Sequence, residues 1–297
     1  MKIGVTGGTG FIGQYLVREF CNEHEFVVIT SRSYIEGLFQ NENVTYITEN
    51  YDQEGFEKAF LGCDGVVHLG AKRSNKELEQ SVTNYFDNIR ISDELFCACE
   101  AIGIKNVVNI SSTAVYDTTT EYPFEEKNAP KPLSNYGVAK LAIENMAHLF
   151  NKKKNMNIKS LRLAQVMGYG ERGGYMLAIF LERCLNQEPL NVFGKGAAGR
   201  EYVYVKDVVY AIICALNVSD KSGVYNIGMG TLTTNLELAK EFCAVFENEA
   251  GYKLLDKPEV VEHYLMDNKL AKQELGFCAR YSVHDALVDM KQILQEM

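Results

Sequence analysis

Ile3-Gly4-Val5-Thr6-Gly7-Gly8-Thr9-Gly10-Phe11-Ile12-Gly13 is the stretch that decides the fold. It starts as a short apolar, β-branched run, the composition of a buried strand. It ends by opening an amphipathic pattern, Phe11 to Cys21, that reads as a helix. Between them Gly7, Gly10 and Gly13 recur every third residue. The first permits a tight turn, the second lets backbone N–H groups approach a pyrophosphate, and the third lets helix and strand pack closely. The helix N-terminus adds a partial positive charge. The segment therefore predicts a dinucleotide site lined by Gly7, Gly10, Phe11, Ile12 and Gly13. The plainer reading is a turn that uses glycine only for its conformation. It is outweighed by the strand–helix alternation that continues along the chain.

Outward from this turn, short apolar runs recur at Ile3–Thr6, Phe26–Thr30, Val44–Thr48, Val66–Leu69, Val107–Ile110 and Ile158–Leu163. They read as strands buried on both faces. Helical patterns separate several of them: Phe11–Cys21, Gln53–Phe60, Leu78–Ala101 and Tyr136–Phe150. The crossover through Tyr34–Phe39 and Asn41–Asn50 is too short for a clear helix and reads as loop-like. The alternation predicts an α/β protein with a doubly wound parallel sheet, a Rossmann fold. The second half is less regular. Tyr202–Val205 and Val224–Ile227 look like strands flanking a helix, Asp207–Leu216, and Asn235–Phe246, Asp267–Leu275 and Val283–Leu294 look like helices. The expected organisation is a nucleotide domain over residues 1–164, rejoined by 200–228. A smaller C-terminal α/β substrate lobe would comprise 165–199 and 229–297. Ligands bind at such a junction, beside the C-terminal ends of the strands.

The second strand runs out in Ser31-Arg32-Ser33, where NAD sites usually place an acidic residue on the ribose. An arginine between small hydroxyls can instead pair with a 2′-phosphate and stack on adenine, which leans the reading toward NADP. The plainer alternative for Arg32 is a solvated surface residue. Asp52 follows the third strand and could accept a hydrogen bond from the adenine amino group. Leu69-Gly70-Ala71 end the fourth strand in mostly small side chains that let a cofactor lie against the sheet edge. His68, in an apolar run, reads as a packed histidine without a chemical role.

The net charge of −9 argues against a nucleic-acid partner, which needs a basic surface. It leaves an anionic small ligand open, because one arginine and a helix N-terminus bind phosphate locally. The eight cysteines form no C-x-x-C pair, and the histidines show no metal-ligand spacing, so no metal site is expected. Reduced, buried thiols suit the cytoplasm. The N-terminal residues read as a strand rather than a signal peptide, and no apolar stretch approaches the ~20 residues of a membrane span.

A second constellation carries the chemistry. Ile110-Ser111-Ser112-Thr113 ends the fifth strand, and Tyr136-Gly137-Val138-Ala139-Lys140 begins the next helix. Tyr136 and Lys140 lie one turn apart on one helical face. An ammonium beside a phenol favours the phenolate and lowers its pKa from about 10. Such a tyrosine can exchange a proton with an alcohol or ketone while hydride moves to or from nicotinamide. Ser112 would hold the same substrate oxygen. A Tyr-x-x-x-Lys pair alone is weak, since helices contain such pairs by chance. Its conjunction with Ser111-Ser112 and the glycine turn is specific.

These motifs resemble the extended short-chain dehydrogenases, in particular the NAD-dependent epimerase/dehydratase family acting on sugar nucleotides, over nearly the whole chain. His68-Leu69-Gly70-Ala71 is similar to the family's His-Leu-Ala-Ala at the nicotinamide side. Pro123-Phe124-Glu125-Glu126, with Pro130 and Pro132, resembles the loop before the catalytic tyrosine, and Arg162 to Gly170 the stretch that wraps the substrate. The resemblance implies that Asn88 supports the active lysine, although a helix cap is an equal reading of that asparagine. It implies that Arg200, in Gly199-Arg200-Glu201-Tyr202, binds the sugar nucleotide's diphosphate, and that Thr113 and Gln165 face the sugar. It also implies a homodimer through the Leu78–Ala101 helix. Gln165, Tyr169 and Lys206 depart from the usual asparagine, proline and acidic residue, which bears on the substrate rather than the chemistry. The family's dehydratases carry an acidic pair where this chain has Thr113-Ala114, so loss of water is not expected.

The expectation is thus a sugar-nucleotide 4-epimerase, of UDP-hexose or UDP-N-acetylhexosamine type. Ser112, Tyr136, Lys140 and Asn88 would form the catalytic set, and NAD or NADP would be the cofactor. The alternative is an NADPH-dependent reductase of a 4-keto sugar nucleotide or another carbonyl substrate, which Arg32 favours. A dinucleotide-binding regulator without turnover is disfavoured by the intact Ser112, Tyr136 and Lys140.

Overall fold

A computed structural model describes residues 1–31, 37–117, 122–171 and 175–296. The β-branched runs form β1 (Lys2–Thr6), β2 (Glu25–Thr30), β3 (Val44–Thr48), β4 (Gly65–His68), β5 (Asn106–Ser112) and β6 (Asn157–Leu163). Helices α1 (Phe11–Phe20), α2 (Gln53–Phe60), α3 (Phe86–Ala101) and α4 (Asn135–Lys154) lie between them. The chain continues through β7 (Gln165–Met167), α5 (Met176–Leu185), β8 (Leu190–Phe193), β9 (Gly199–Tyr204) and α6 (Val205–Asn217). It then enters β10 (Gly223–Ile227), β11 (Leu232–Thr234), α7 (Asn235–Val245), β12 (Tyr252–Leu255), β13 (His263–Tyr264), α8 (Lys269–Leu275) and α9 (Val283–Gln295).

The large sheet has the order β10-β6-β5-β4-β1-β2-β3, with every neighbouring pair parallel. The order reverses between β1 and β4, the crevice where open α/β sheets bind ligands. One face is covered by α1 and α6, through Leu16, Val17, Val208 and Ile212. The other is covered by α2, α3 and α4, through Phe56, Phe60, Phe96 and Phe150. A third core, around Met167, Phe180, Phe242 and Leu287, belongs to the smaller lobe. There β9 pairs with β7, β11 and β13, and β8 pairs with β12. Within residues 200–228, α6 and β10 rejoin the large layer, whereas β9 lies in the small sheet.

Three expectations change. Val44–Thr48 is not buried on both faces: β3 is the edge strand, paired only with β2, and half of it meets solvent. Leu78–Ala101 is not one helix. Ser81 is extended, its side chain caps the N–H of Thr83, and short 3-10 turns at Leu78–Gln80 and Val82–Tyr85 precede α3. The last of the C-terminal boundaries to move is Asp267, which precedes α8 rather than opening it, its carboxylate accepting from the Lys269 N–H at 2.8 Å. Among the described residues no helix is long and apolar enough to cross a membrane.

Candidate active site

A cavity of about 740 Å³ opens at the C-terminal ends of β1, β4 and β5 and runs toward β7 and β9. Its near wall is the glycine turn. Gly7 has φ +67°, a left-handed conformation that favours glycine, and a Cβ there would meet Gly70 N at 2.7 Å. A Cβ on Gly13 would meet Gly7 O and Gly8 Cα at 2.5 Å. Gly10, the N-cap of α1, carries no side-chain cap, and a Cβ there would meet only Gly7 O, at 3.2 Å. The turn is thus packed tightly against the sheet on one side and open on the other, with an uncapped helix end behind it. That shape accommodates a pyrophosphate. Gly7, Gly10, Phe11, Ile12, Gly13, Leu69, Gly70 and Ala71 all line the cavity.

The adenosine end is less defined. Ser31 and Asp52 lie outside the cavity lining, and Arg32 lies outside the described residues. Asp52 caps α2: its Oδ1 accepts from the Gly55 N–H at 2.9 Å. His68 is packed as expected. Its Nδ1 and Nε2 share hydrogen bonds with Thr6 Oγ1 at 2.7 Å and Ser92 Oγ at 3.0 Å, and burial lowers its pKa to about 3.

The reacting groups sit at the middle of the cavity. Ser112 ends β5, and its Oγ accepts from the Ala114 N–H at 3.1 Å, which leaves its own proton to donate. Ser134 caps α4 through Gly137 N at 3.0 Å, so Tyr136 enters on the first turn and Lys140 on the second. Lys140 Nζ is 5.7 Å from the Tyr136 ring centroid and donates to Ile110 O at 2.6 Å. Burial pushes the ammonium down to about 8, with Glu144 opposing. The expectation that Lys140 brings the phenol below 10 is not met in this arrangement. Burial pushes Tyr136 up to about 12, the cation that opposes it is Arg73, and Tyr85 and Tyr175 add to the rise. Lys140 is instead turned toward the end of β5.

Several supports are not apparent from the sequence. Glu79, in the first 3-10 turn, accepts from the backbone N–H groups of Asn135 (2.8 Å) and Tyr136 (3.1 Å), and from Tyr85 Oη (2.7 Å) and Ser74 Oγ (3.0 Å). Burial pushes its carboxyl up, but these donors outweigh it and hold it below the ordinary range. A carboxylate is favoured at a helix N-terminus, so Glu79 fixes the start of α4. Beneath the site Glu144, one turn beyond Lys140, accepts from Arg162 Nε at 2.9 Å, Arg162 Nη2 at 2.6 Å and Ser111 Oγ at 2.5 Å. Arg162 also donates to Tyr116 Oη at 2.7 Å. Arg162 is therefore a buried structural residue and does not reach the substrate side. The spacing Lys140–Glu144 was a usable signal, since residues four apart share a helix face.

The Asn88 side chain bonds the backbone of Lys72. It is neither the cap of α3 nor a direct partner of Lys140. Its amide donates to Lys72 O at 2.9 Å and accepts from Lys72 N at 2.8 Å, which pins the segment after Ala71. Thr113, Gln165 and Arg200 line the far part of the cavity. Arg200 is exposed, with its guanidinium 5.4 Å from the Tyr264 ring centroid. Lys206 is a clamp between α6 and α9, bonded to Asp289 at 2.9 Å.

Comparison with known proteins agrees with this fold. The family model described as NAD-dependent epimerase/dehydratase matches residues 3–228. An uncharacterized UDP-glucose epimerase of Bacillus subtilis (strain 168) is 29% identical over 308 residues, covering 97% of this chain and 96% of that protein. The crystal structure of UDP-N-acetylglucosamine 4-epimerase from Bacillus cereus has a TM-score of 0.90 at 30% identity, covering 100% of this chain and 97% of that one. UDP-glucuronic acid 4-epimerase from Bacillus cereus, in complex with UDP-glucuronic acid and NAD, has a TM-score of 0.84 at 26% identity, covering 100% and 99%. With a parallel Rossmann sheet, an uncapped glycine turn, and serine, tyrosine and lysine converging on one cavity, this enzyme belongs to the NAD-dependent epimerase/dehydratase family, within the extended short-chain dehydrogenases.

Proposed function

We propose that the protein is a nucleotide-sugar 4-epimerase acting on a UDP-hexose or UDP-N-acetylhexosamine. The observation that carries this reading is a single cavity with the glycine turn at one end, Arg200 at the other and Ser112, Tyr136 and Lys140 between them, with Thr113-Ala114 rather than an acidic pair after Ser112. Gly7, Gly10, Phe11, Ile12, Gly13, Leu69, Gly70 and Ala71 would hold the dinucleotide, with Ser31, Arg32 and Asp52 at its adenosine end. When bound, NAD supplies a reversible hydride acceptor for C4 of the sugar. Tyr136 removes the C4 hydroxyl proton and returns it after the ketone has turned over in the site. Ser112 donates a hydrogen bond to the same oxygen. Lys140 binds ribose hydroxyls, Arg73 is the cation that favours the phenolate of Tyr136, and Asn88 holds the Lys72 backbone. Arg200 pairs with the diphosphate, while Thr113 and Gln165 flank the sugar. A homodimer through α3 belongs to this reading, and Phe86 is exposed at its start.

The test is epimerisation of UDP-glucose or UDP-N-acetylglucosamine, with chromatography of the products. Tyr136→Phe should lower kcat by about 100-fold or more, the scale of general acid–base catalysis. Unchanged turnover would remove Tyr136 from the mechanism. An NADPH-dependent reductase of a 4-keto sugar nucleotide is the second reading, favoured by Arg32. Native mass spectrometry separates the two: a retained NAD supports the epimerase, whereas an apoprotein that takes up NADPH supports the reductase.

A further inference from the structure

Glu171 is a buried acid that the mechanism above does not use. It lies beyond β7, and its side chain is 4% exposed. Its Oε1 lies 3.3 Å from Arg73 Nη2 and accepts from Gln165 Nε2 at 3.5 Å. Its Oε2 is buried and has no hydrogen-bond partner among the described residues. Arg73 and Gln165 both line the cavity. Arg73 is itself held in place, 5.7 Å from the centroid of the Tyr175 ring, and Tyr175 Oη donates to Ser74 O at 2.7 Å. These contacts join the segment after β4 to the segment after β7 across the sugar end of the site.

Chemistry alone dictates two consequences. A carboxylate only accepts, so the Gln165 amide must turn its NH₂ toward Glu171 and its carbonyl oxygen away from it. An arginine in a sugar pocket would attract an anionic sugar, but this guanidinium already faces a carboxylate. We propose that Glu171 makes the site selective for neutral hexoses: it compensates Arg73 and orients Gln165 to accept from a hydroxyl or acetamide N–H. A nucleotide sugar with a carboxylate on the hexose thereby gains nothing from Arg73. The inference rests on the nucleotide-sugar reading above. With Glu171 in place the Arg73–Glu171 pair presents little net charge to a sugar carboxylate; without it, the freed guanidinium about 5 Å away, at an effective dielectric of about 20, would attract that carboxylate by roughly two orders of magnitude in affinity.

Calorimetric titration with UDP-glucose, UDP-N-acetylglucosamine, UDP-glucuronate and UDP alone tests this without requiring turnover. The wild-type protein should bind one of the neutral sugars more tightly than the uronate. Glu171→Gln, which frees Arg73, should raise uronate affinity relative to the neutral sugar by about 10-fold or more, and Arg73→Gln, which leaves the carboxylate uncompensated, should widen the gap. A purely structural role would move all the sugars together, and thermal melting identifies a variant that has lost its fold. Equal wild-type affinity for uronate and neutral sugar overturns the inference and leaves the epimerase reading standing, as does a gap that Glu171→Gln leaves unchanged. If no sugar binds more tightly than UDP alone, the nucleotide-sugar reading itself falls, and the inference with it.

Discussion

Alanine at Gly10 and at Gly13 should separate cofactor binding from folding. A methyl on Gly13 would sit 2.5 Å from Gly7 O and Gly8 Cα, both backbone atoms that cannot rotate away. The turn or α1 must shift by about 1 Å, and overpacking of this kind costs about 1–3 kcal/mol. At roughly 2 cal/mol/K of unfolding entropy per residue, that is a fall in Tm of about 2–5 °C for a chain of this length. A methyl on Gly10 meets only Gly7 O at 3.2 Å, and the residue has φ −81° and ψ 177°, which alanine adopts freely. Its structural cost is the weaker N-cap preference, about 1 kcal/mol or less. The same methyl points to the open side of the turn, where it displaces a pyrophosphate from one or two charge-assisted hydrogen bonds worth about 1.5–3 kcal/mol each. Gly10→Ala should therefore weaken NAD at least 10-fold while lowering Tm by no more than about 2 °C. Gly13→Ala should lose both. Scanning calorimetry and NAD titration on the same samples read the two effects. If Gly10→Ala binds NAD within twofold of wild type, the pyrophosphate does not rest on this turn.

The buried groups give three other outcomes. Glu144→Gln leaves the Arg162 guanidinium uncompensated and should cost about 3–5 kcal/mol in urea unfolding, and a loss below 1 kcal/mol would mean the pair is solvated. His68 has a folded pKa near 3 against about 6.5 unfolded, so its stabilising contribution is complete above pH 6.5 and is lost as pH falls toward 3. From pH 7.5 to 5 the wild-type protein should lose about 2 kcal/mol that His68→Gln does not lose, and parallel losses would refute this. Lys140 is held near 8 against an ordinary 10.5, a buried-charge penalty of about 3 kcal/mol that its bond to Ile110 O partly offsets. Lys140→Met should abolish activity yet melt no lower than wild type, and a fall above about 5 °C would show the ammonium to be a net stabiliser.

The large sheet was legible because each of its inner strands is a short β-branched run buried on both faces. β3 misled for the same reason: Val44–Thr48 has the composition of an inner strand but only one neighbour. The break before α3 was hidden because its cause is remote. Glu79 is drawn to the N-terminus of α4, far along the chain, and nothing in Leu78–Gln80 announces that bond. In the site, Gly7–Gly13 and the Tyr136–Lys140 pair were readable because local spacing carries their geometry. Arg73 and Glu171 were not, since they sit in loops without periodicity and meet only through the fold. Asn88 stands out by its place in a motif, but its partner, the backbone of Lys72, is a tertiary fact.

The position of β10 also bears on how the chain is made. Its neighbour β6 is complete at Leu163, but β10 begins only at Gly223, after the whole of β7 to α6. During synthesis the β6 edge is therefore unpaired while a long stretch of chain is still emerging, and an open parallel edge is a template for association between nascent molecules. β6 carries Lys159 and Arg162 at positions that are fully enclosed once β10 docks. Before that, the Lys159 ammonium stands by the open edge and discourages another strand from pairing there, whereas Arg162 already has its partner, Glu144, in the preceding helix.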